Sequence, residues 1–134
     1  MEKANKLLII LNIFFLFYYS FQLLVYTDEF AINNLGIFNH AIAGLSEIIG
    51  IIFLSLSFSL IYILIKNING QLPLFSTIFL IQFLIFINLL RYIYTNSPGQ
   101  TSINSITFNS LIFFFGMMVS IIFLCKNFTI LKQF

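Results

Sequence analysis

The chain has 134 residues, of which 60% are hydrophobic and only 7% are charged, with six basic and four acidic side chains and a formal net charge of +2. Soluble domains carry about 25% charged residues, so these charges are too few to cover a water-soluble fold of this size. The composition excludes an ordinary soluble domain, a disordered tail and a basic nucleic-acid-binding protein. It predicts a protein whose main partner is the lipid bilayer.

Four apolar runs are long enough to cross a bilayer. The first covers about residues 7–26, and at about 1.5 Å per helical residue it spans about 30 Å. This run is longer than the apolar core of a cleavable signal peptide. The others cover about residues 41–65, 74–94 and 103–124. Because lipid offers no partner to an open backbone, we predict an all-α integral membrane bundle of four helices, forming a single domain over residues 1–134.

The last two connections carry helix-ending and turn residues. Asn69-Gly70 is predicted to end the second span. Pro73 suits the first turn of the third span, where its missing N–H would be unpaired in any case. Ser97-Pro98-Gly99 predicts a turn after that span.

The connection between the first two spans admits two interpretations, a short interfacial helix and an irregular loop. For a helix, Thr27 would be the cap, Asp28 and Glu29 would favour the positive N-terminal end, and Gly36 would terminate it.

The basic residues predict the orientation. With an even number of spans, five of them fall on one side of the membrane, which the positive-inside rule makes cytoplasmic. Asp28 and Glu29 fall on the other side, and Arg91 is the one exception among the basic residues. We therefore expect both termini in the cytoplasm. The five residues are Lys3, Lys6, Lys66, Lys126 and Lys132.

Glu47 and Arg91 are the two charges that lie within apolar spans. Counted along antiparallel helices, both lie in the outer leaflet at similar depth. An intramembrane carboxylate usually has a partner, so we predict a buried Glu47–Arg91 pair with Asn88 beside it. In the alternative, Arg91 reaches the outer headgroups or pairs with Asp28 or Glu29, and Glu47 is protonated. On the third span, Gln82 points almost opposite to Asn88 and Arg91.

His40 and Cys125 are each the sole residue of their type. His40 either carries protons to Glu47 or is a solvated residue at the outer interface. One histidine and one cysteine do not supply a usual metal-ligand set or an internal disulfide. No phosphate-binding glycine loop or nucleophile–base set is present. We therefore predict no catalytic residue, no metal site and no cofactor.

Small residues spaced four apart favour close helix packing. The spacings serve either packing within the chain, which we favour, or a homo-oligomer. They are Ser46-xxx-Gly50, Ser55-xxx-Ser59 and Gly116-xxx-Ser120, the last sharing a face with Asn109.

The layout resembles the DoxX-like group of small bacterial four-helix membrane proteins, which includes related families of unknown function. The resemblance lies in Leu35-Gly36, Ala43-Gly44, Glu47 with Gly50, and Arg91 followed by a Pro-Gly turn. This chain has Ile48-Ile49-Gly50 where a glycine pair often follows the glutamate in such families. The resemblance implies a four-helix bundle of undetermined function, with some relatives attached to redox enzymes, and it carries over no catalytic residue.

These observations predict a non-enzymatic structural or accessory subunit in a bacterial inner membrane, with the Glu47–Arg91 pair fixing the bundle or binding a polar headgroup. Its partners would be lipid, other membrane subunits or further copies of the chain. The alternative is a transporter or channel component that binds a proton or a small polar ligand at Glu47.

Overall fold

The computed structural model describes residues 3–95 and 102–133, and within these ranges the chain forms five helices. They are α1 (Lys3–Leu24), α2 (Thr27–Leu35), α3 (His40–Ile65), α4 (Leu72–Thr95) and α5 (Ile103–Lys132). All of them except the nine-residue α2 are long and apolar enough to cross a membrane. The all-helical architecture is thus confirmed, and four helices of sufficient length and hydropathy lie where the four spans are predicted.

Local sequence accounts for several helix ends. The Asn39 side chain caps α3 by accepting a hydrogen bond from the Ile42 N–H over 2.9 Å. Ser102 caps α5 in the same way, and Pro73 lies in the first turn of α4, as predicted. These residues occupy positions where the first N–H groups of a helix lack a backbone partner.

The helical interpretation of the first connection is correct, although its cap is not the predicted one. The Thr27 hydroxyl donates a hydrogen bond back to the Leu23 carbonyl oxygen over 2.6 Å, so it does not cap α2. Asp28 and Glu29 lie in the first turn. Gly36 ends the helix with a left-handed backbone (φ 72°), a conformation that glycine adopts without steric cost.

The predicted end of the second span near residue 65 is confirmed, but Asn69-Gly70 and the predicted end of the fourth span do not mark helix ends. α3 ends at Ile65, and Asn69-Gly70 lies in the turn that follows it, with Gly70 at φ 71°. α5 continues past Leu124 to Lys132, because Asn127 and Leu131 are still buried against the bundle there. Hydropathy marks where a helix leaves the apolar layer, whereas helix length also depends on packing beyond it. The predicted Ser97-Pro98-Gly99 turn lies outside the described residues.

The long helices pack as two antiparallel pairs, α1 with α3 and α4 with α5, and a smaller contact between α1 and α5 joins the pairs. α3 and α4 do not pack against each other over any extended length. Buried positions recur at intervals of three and four residues, which keeps one stripe of each helix facing its neighbour. On α1 these positions are Asn5, Ile9, Asn12, Leu16, Tyr19, Ser20 and Leu23.

Two of the small-residue spacings lie at helix contacts within the chain. Ser46 and Gly50 are buried, and a Cβ atom on Gly50 would approach Leu24 Cγ to 2.8 Å. Gly116 and Ser120 are also buried, and a Cβ on Gly116 would lie 3.1 Å from the Gln82 side chain. Ser55 and Ser59 are exposed. The Ser46-xxx-Gly50 and Gly116-xxx-Ser120 spacings therefore serve packing within the chain.

Candidate functional site

The interior of the bundle contains uncharged polar side chains that form hydrogen bonds with one another in three layers along α1. We call these three layers the polar ladder. Each layer joins α1 to α5, and the second and third layers each recruit one further helix. The layers are Asn5–Asn127, Asn12–Gln82–Ser120 and Tyr19–Asn109–Asn34.

The first layer lies where α1 begins and α5 ends. Asn5 Nδ2 donates to Asn127 Oδ1 over 2.5 Å, and Asn127 Nδ2 donates to the Phe123 carbonyl oxygen over 3.0 Å. Asn5 Oδ1 is buried and has no hydrogen-bond partner among the residues that the structure describes. A cavity of about 400 Å³ borders this layer, lined also by Asn67, Asn69 and Lys126. The first layer is thus adjacent to the polar end of the bundle.

The middle layer connects three helices through one amide oxygen. Asn12 Oδ1 accepts a hydrogen bond from Gln82 Nε2 over 3.0 Å. The Ser120 hydroxyl lies 2.8 Å from Asn12 Oδ1 and 2.5 Å from Gln82 Oε1, and its single proton serves one of these oxygens at a time. All three side chains are at most 3% exposed. Because the groups satisfy one another, they are compatible with an apolar interior.

The third layer lies at the end of the bundle covered by α2. The Tyr19 hydroxyl donates to Asn109 Oδ1 over 2.6 Å, and Asn109 Nδ2 donates to Asn34 Oδ1 over 2.7 Å. The Tyr19 ring packs on Phe113, with ring centroids 4.6 Å apart. This layer attaches the short α2 helix to the two membrane-spanning helices α1 and α5.

The polar ladder was not predicted, although the sequence contains a signal for it. Asn5, Asn12 and Tyr19 are spaced by seven residues, and so are Ser120 and Asn127. A seven-residue spacing keeps side chains on one face of a helix across successive turns. Asn109 and Ser120 were predicted to share a helix face, and both bond to α1, at Tyr19 and Asn12, partners that were not predicted.

An apolar cavity of about 400 Å³ lies beside the third layer, and we call it the α2-end cleft. All five helices contribute to its lining, which is mainly aliphatic and aromatic. Its polar wall consists of Tyr19, Asn34 and Asn109. Two lining residues, Ile49 on α3 and Tyr92 on α4, are 45% and 48% exposed, which places the mouth of the cleft between these two helices.

The four predicted site residues all lie on the surface. Glu47 and His40 are exposed on α3, and Asn88 and Arg91 are exposed on α4. The predicted buried Glu47–Arg91 pair is not formed in this structure, and among the described residues no charged side chain is buried. Arg91 instead has its guanidinium carbon 5.2 Å from the centre of the neighbouring Tyr92 ring.

The rotation of α4 explains this placement. Gln82 points almost opposite to Asn88 and Arg91, and the structure turns Gln82 inward to meet Asn12. The opposite side of α4 therefore faces outward. α3 likewise buries Ser46, Gly50 and Ser57 against α1, which leaves Glu47 outside the interface.

Comparisons with family models, with curated proteins and with solved structures found no match for this chain. The resemblance to the DoxX-like group therefore stays a prediction. Within the described residues, no group of three or more His, Cys, Asp or Glu side chains is placed to hold a metal ion. Chemically, the interior offers neutral amide and hydroxyl groups, which can bind and orient uncharged polar groups.

Proposed function

We propose that the chain is a non-enzymatic structural or accessory subunit of a bacterial inner-membrane assembly. The observation that supports this proposal is the exposed position of Glu47 on an apolar helix. Glu47 follows the first residue of α3 by seven positions, which is about 10 Å along the helix axis. A charged group facing lipid at that depth is energetically unfavourable, so a protein partner that covers it stabilises the membrane-inserted state.

Arg91 adds a second charge to the exposed surface of the apolar spans. It lies four residues before the end of α4, which is about 6 Å from that end along the axis. Glu47 and Arg91 are the two charges that lie within apolar spans, and both face outward, so they are the side chains that a membrane partner would cover. The partner would be a different membrane subunit or another copy of the chain, with a complementary charge.

To test this proposal, the tagged chain is extracted from its native membrane with a mild detergent, and the size of its complex is measured by native electrophoresis. We expect an assembly larger than one chain, and we expect Glu47→Gln to reduce its yield severalfold because the buried interfacial charge is lost. Asp28→Asn is the matched control, since Asp28 is an exposed carboxylate on α2, outside the long helices. A wild-type chain that migrates alone would contradict the proposal, as would equal effects of the two substitutions.

Transport through Glu47 is the alternative function. In the structure Glu47 is exposed on the surface of α3 and is not among the residues that line the α2-end cleft. No specific observation therefore favours a pathway through this residue, and we do not propose one.

A further inference from the structure

The α2-end cleft has the size and lining of a small-molecule site. Its volume of about 400 Å³ falls within the range of about 300–1,000 Å³ that is typical of ligand pockets, which are mostly apolar with a few polar groups. The mouth lies between α3 and α4, both of which have lipid-facing surfaces. A molecule dissolved in the bilayer can therefore reach the cleft without crossing water.

The polar wall of the cleft separates it from a smaller cavity of about 170 Å³. The two cavities share Tyr19, Phe30, Asn34 and Asn109, and the smaller one is also lined by the polar residues Gln22 and Ser105. A bound molecule would thus meet apolar side chains along most of its length and hydrogen-bonding groups at one end. This arrangement matches an amphiphile, with a tail and a polar head.

The charges and hydrogen bonds at the wall define the head further. None of the described residues lining either cavity is charged, and an ionised head would be costly to bury without a counter-charge. Tyr19 donates its proton to Asn109, so its oxygen can still accept a hydrogen bond, and Asn34 Nδ2 has one hydrogen beyond the one donated to the Phe30 carbonyl oxygen. A hydroxyl group can use both, since it donates and accepts.

We propose that the α2-end cleft binds a neutral single-chain amphiphile that bears a hydroxyl head, such as a long-chain alcohol or a monoacylglycerol. The chain occupies the apolar cleft, and the head bonds to the Tyr19–Asn109–Asn34 wall. Neither Glu47 nor Arg91 lines the cleft, although Arg91 lies over the Tyr92 ring at its mouth. The inference is argued from the cavity and its polar wall and does not use these charges. Either proposal can fail while the other holds.

The test uses a photoreactive monoacylglycerol and the full chain in nanodiscs of two-chain phospholipid, because single-chain sugar detergents would compete for the cleft. Labelled residues are mapped by mass spectrometry. We expect labelling at cleft residues, and we expect oleyl alcohol to compete with it. Octadecane, which lacks the polar head, and ionised oleate should compete much more weakly. Labelling spread evenly over the lipid-facing helix surfaces would overturn the proposal.

A matched pair of substitutions separates cleft binding from general lipid contact. Ile49→Trp fills the mouth of the cleft, whereas Ile48→Trp places the same ring on a neighbouring exposed position that does not line it. We expect Ile49→Trp to lower the affinity for the monoacylglycerol by about tenfold or more, since the apolar tail loses buried contact area. We expect Ile48→Trp to leave this affinity unchanged. Equal affinity in both variants would overturn the proposal.

The role of the head is tested by Tyr19→Phe, which removes the hydroxyl and keeps the aromatic ring. Circular dichroism of each variant verifies that it folds. We expect the preference for oleyl alcohol over octadecane to fall severalfold in this variant. An unchanged preference would show that the polar wall does not recognise the head, and it would overturn the assignment of a hydroxyl head to this wall.

Discussion

Asn12 joins helices α1, α4 and α5 through its amide oxygen, which accepts from Gln82 and lies within hydrogen-bonding distance of the Ser120 hydroxyl. Hydrogen bonds between membrane helices contribute about 0.6 kcal/mol on average, which is modest. Removing Asn12 has a larger effect, because the buried Gln82 Nε2 group loses its acceptor and lipid cannot replace it. The free energy of unfolding therefore depends on all three side chains of the middle layer being present together.

The first prediction concerns this residue. We expect Asn12→Leu to lower the free energy of unfolding by about 1–3 kcal/mol, because Gln82 Nε2 loses its acceptor in an apolar interior, while the Ser120 hydroxyl keeps Gln82 Oε1 as an acceptor. The measurement is reversible unfolding in mixed micelles, followed by circular dichroism.

Asn88→Leu is the control for this prediction. Asn88 is an asparagine on a membrane-spanning helix but is exposed on the outer side of α4. Its replacement removes no interior hydrogen bond, so we expect little change in stability or a slight gain in lipid. Equal destabilisation by the two substitutions would show that the middle layer has no special role.

At the scale of elements, α3 depends on small residues along its buried face. Ser46, Gly50 and Ser57 are buried there among larger side chains, and the Ser57 hydroxyl reaches the Ile13 carbonyl oxygen on α1 at 3.5 Å. Small side chains allow two helix backbones to approach closely, which increases van der Waals contact where no hydrophobic effect acts between helices. The contact between α1 and α3 follows from this arrangement.

The second prediction compares two glycines of α3. A Cβ on Gly50 would lie 2.8 Å from Leu24 Cγ and 3.1 Å from Leu23 Cβ, so the Leu24 side chain or the two helices must shift. We expect Gly50→Ala to destabilise the protein by about 1–3 kcal/mol through overpacking. Thermal unfolding in detergent measures the effect.

Gly44→Ala supplies the matched comparison on the same helix. A Cβ at this position would meet no atom within 4 Å. We expect this substitution to be neutral or to stabilise the helix by up to about 1 kcal/mol, because alanine loses less backbone entropy than glycine. Comparable losses at both positions would argue against a close α1–α3 contact at Gly50.

At the scale of the whole molecule, the limited contact between the two helix pairs accounts for the α2-end cleft. α1 and α5 hold the pairs together through the polar ladder, while α3 and α4 do not pack over an extended length. The gap at the α2 end lies between the pairs and is bordered by α2. The cleft therefore results from the way in which the pairs assemble.

The third prediction concerns the orientation of the molecule in the membrane. The Asn5–Asn127 hydrogen bond places the start of α1 and the end of α5 at the same end of the bundle, and the basic residues predict that this end is cytoplasmic. In a Cys125→Ser background, we expect an impermeant maleimide added to intact cells to label Asn33→Cys. Lys132→Cys should react after the membrane is permeabilised. The reverse pattern would show that the orientation is inverted.

The sequence was sufficient to predict the spans and the helical class. Hydropathy and length are local properties, and a backbone in lipid must satisfy its own hydrogen bonds. Gly36 and Pro73 were assigned correctly for the same reason, since each acts through its own backbone geometry. The later end of α5 was missed because Asn127 and Leu131 are helical through contacts with the rest of the bundle.

The tertiary structure decided which polar residues face inward. The sequence shows that Gln82 lies opposite to Asn88 and Arg91 on α4, but both sides of that helix carry polar groups, so periodicity alone does not say which side is buried. The structure turns Gln82 toward Asn12 and leaves Arg91 and Glu47 on the surface. The physical reason is that the rotation and pairing of a helix depend on how its side chains pack against those of several neighbouring helices. The sequence of one helix does not specify these contacts.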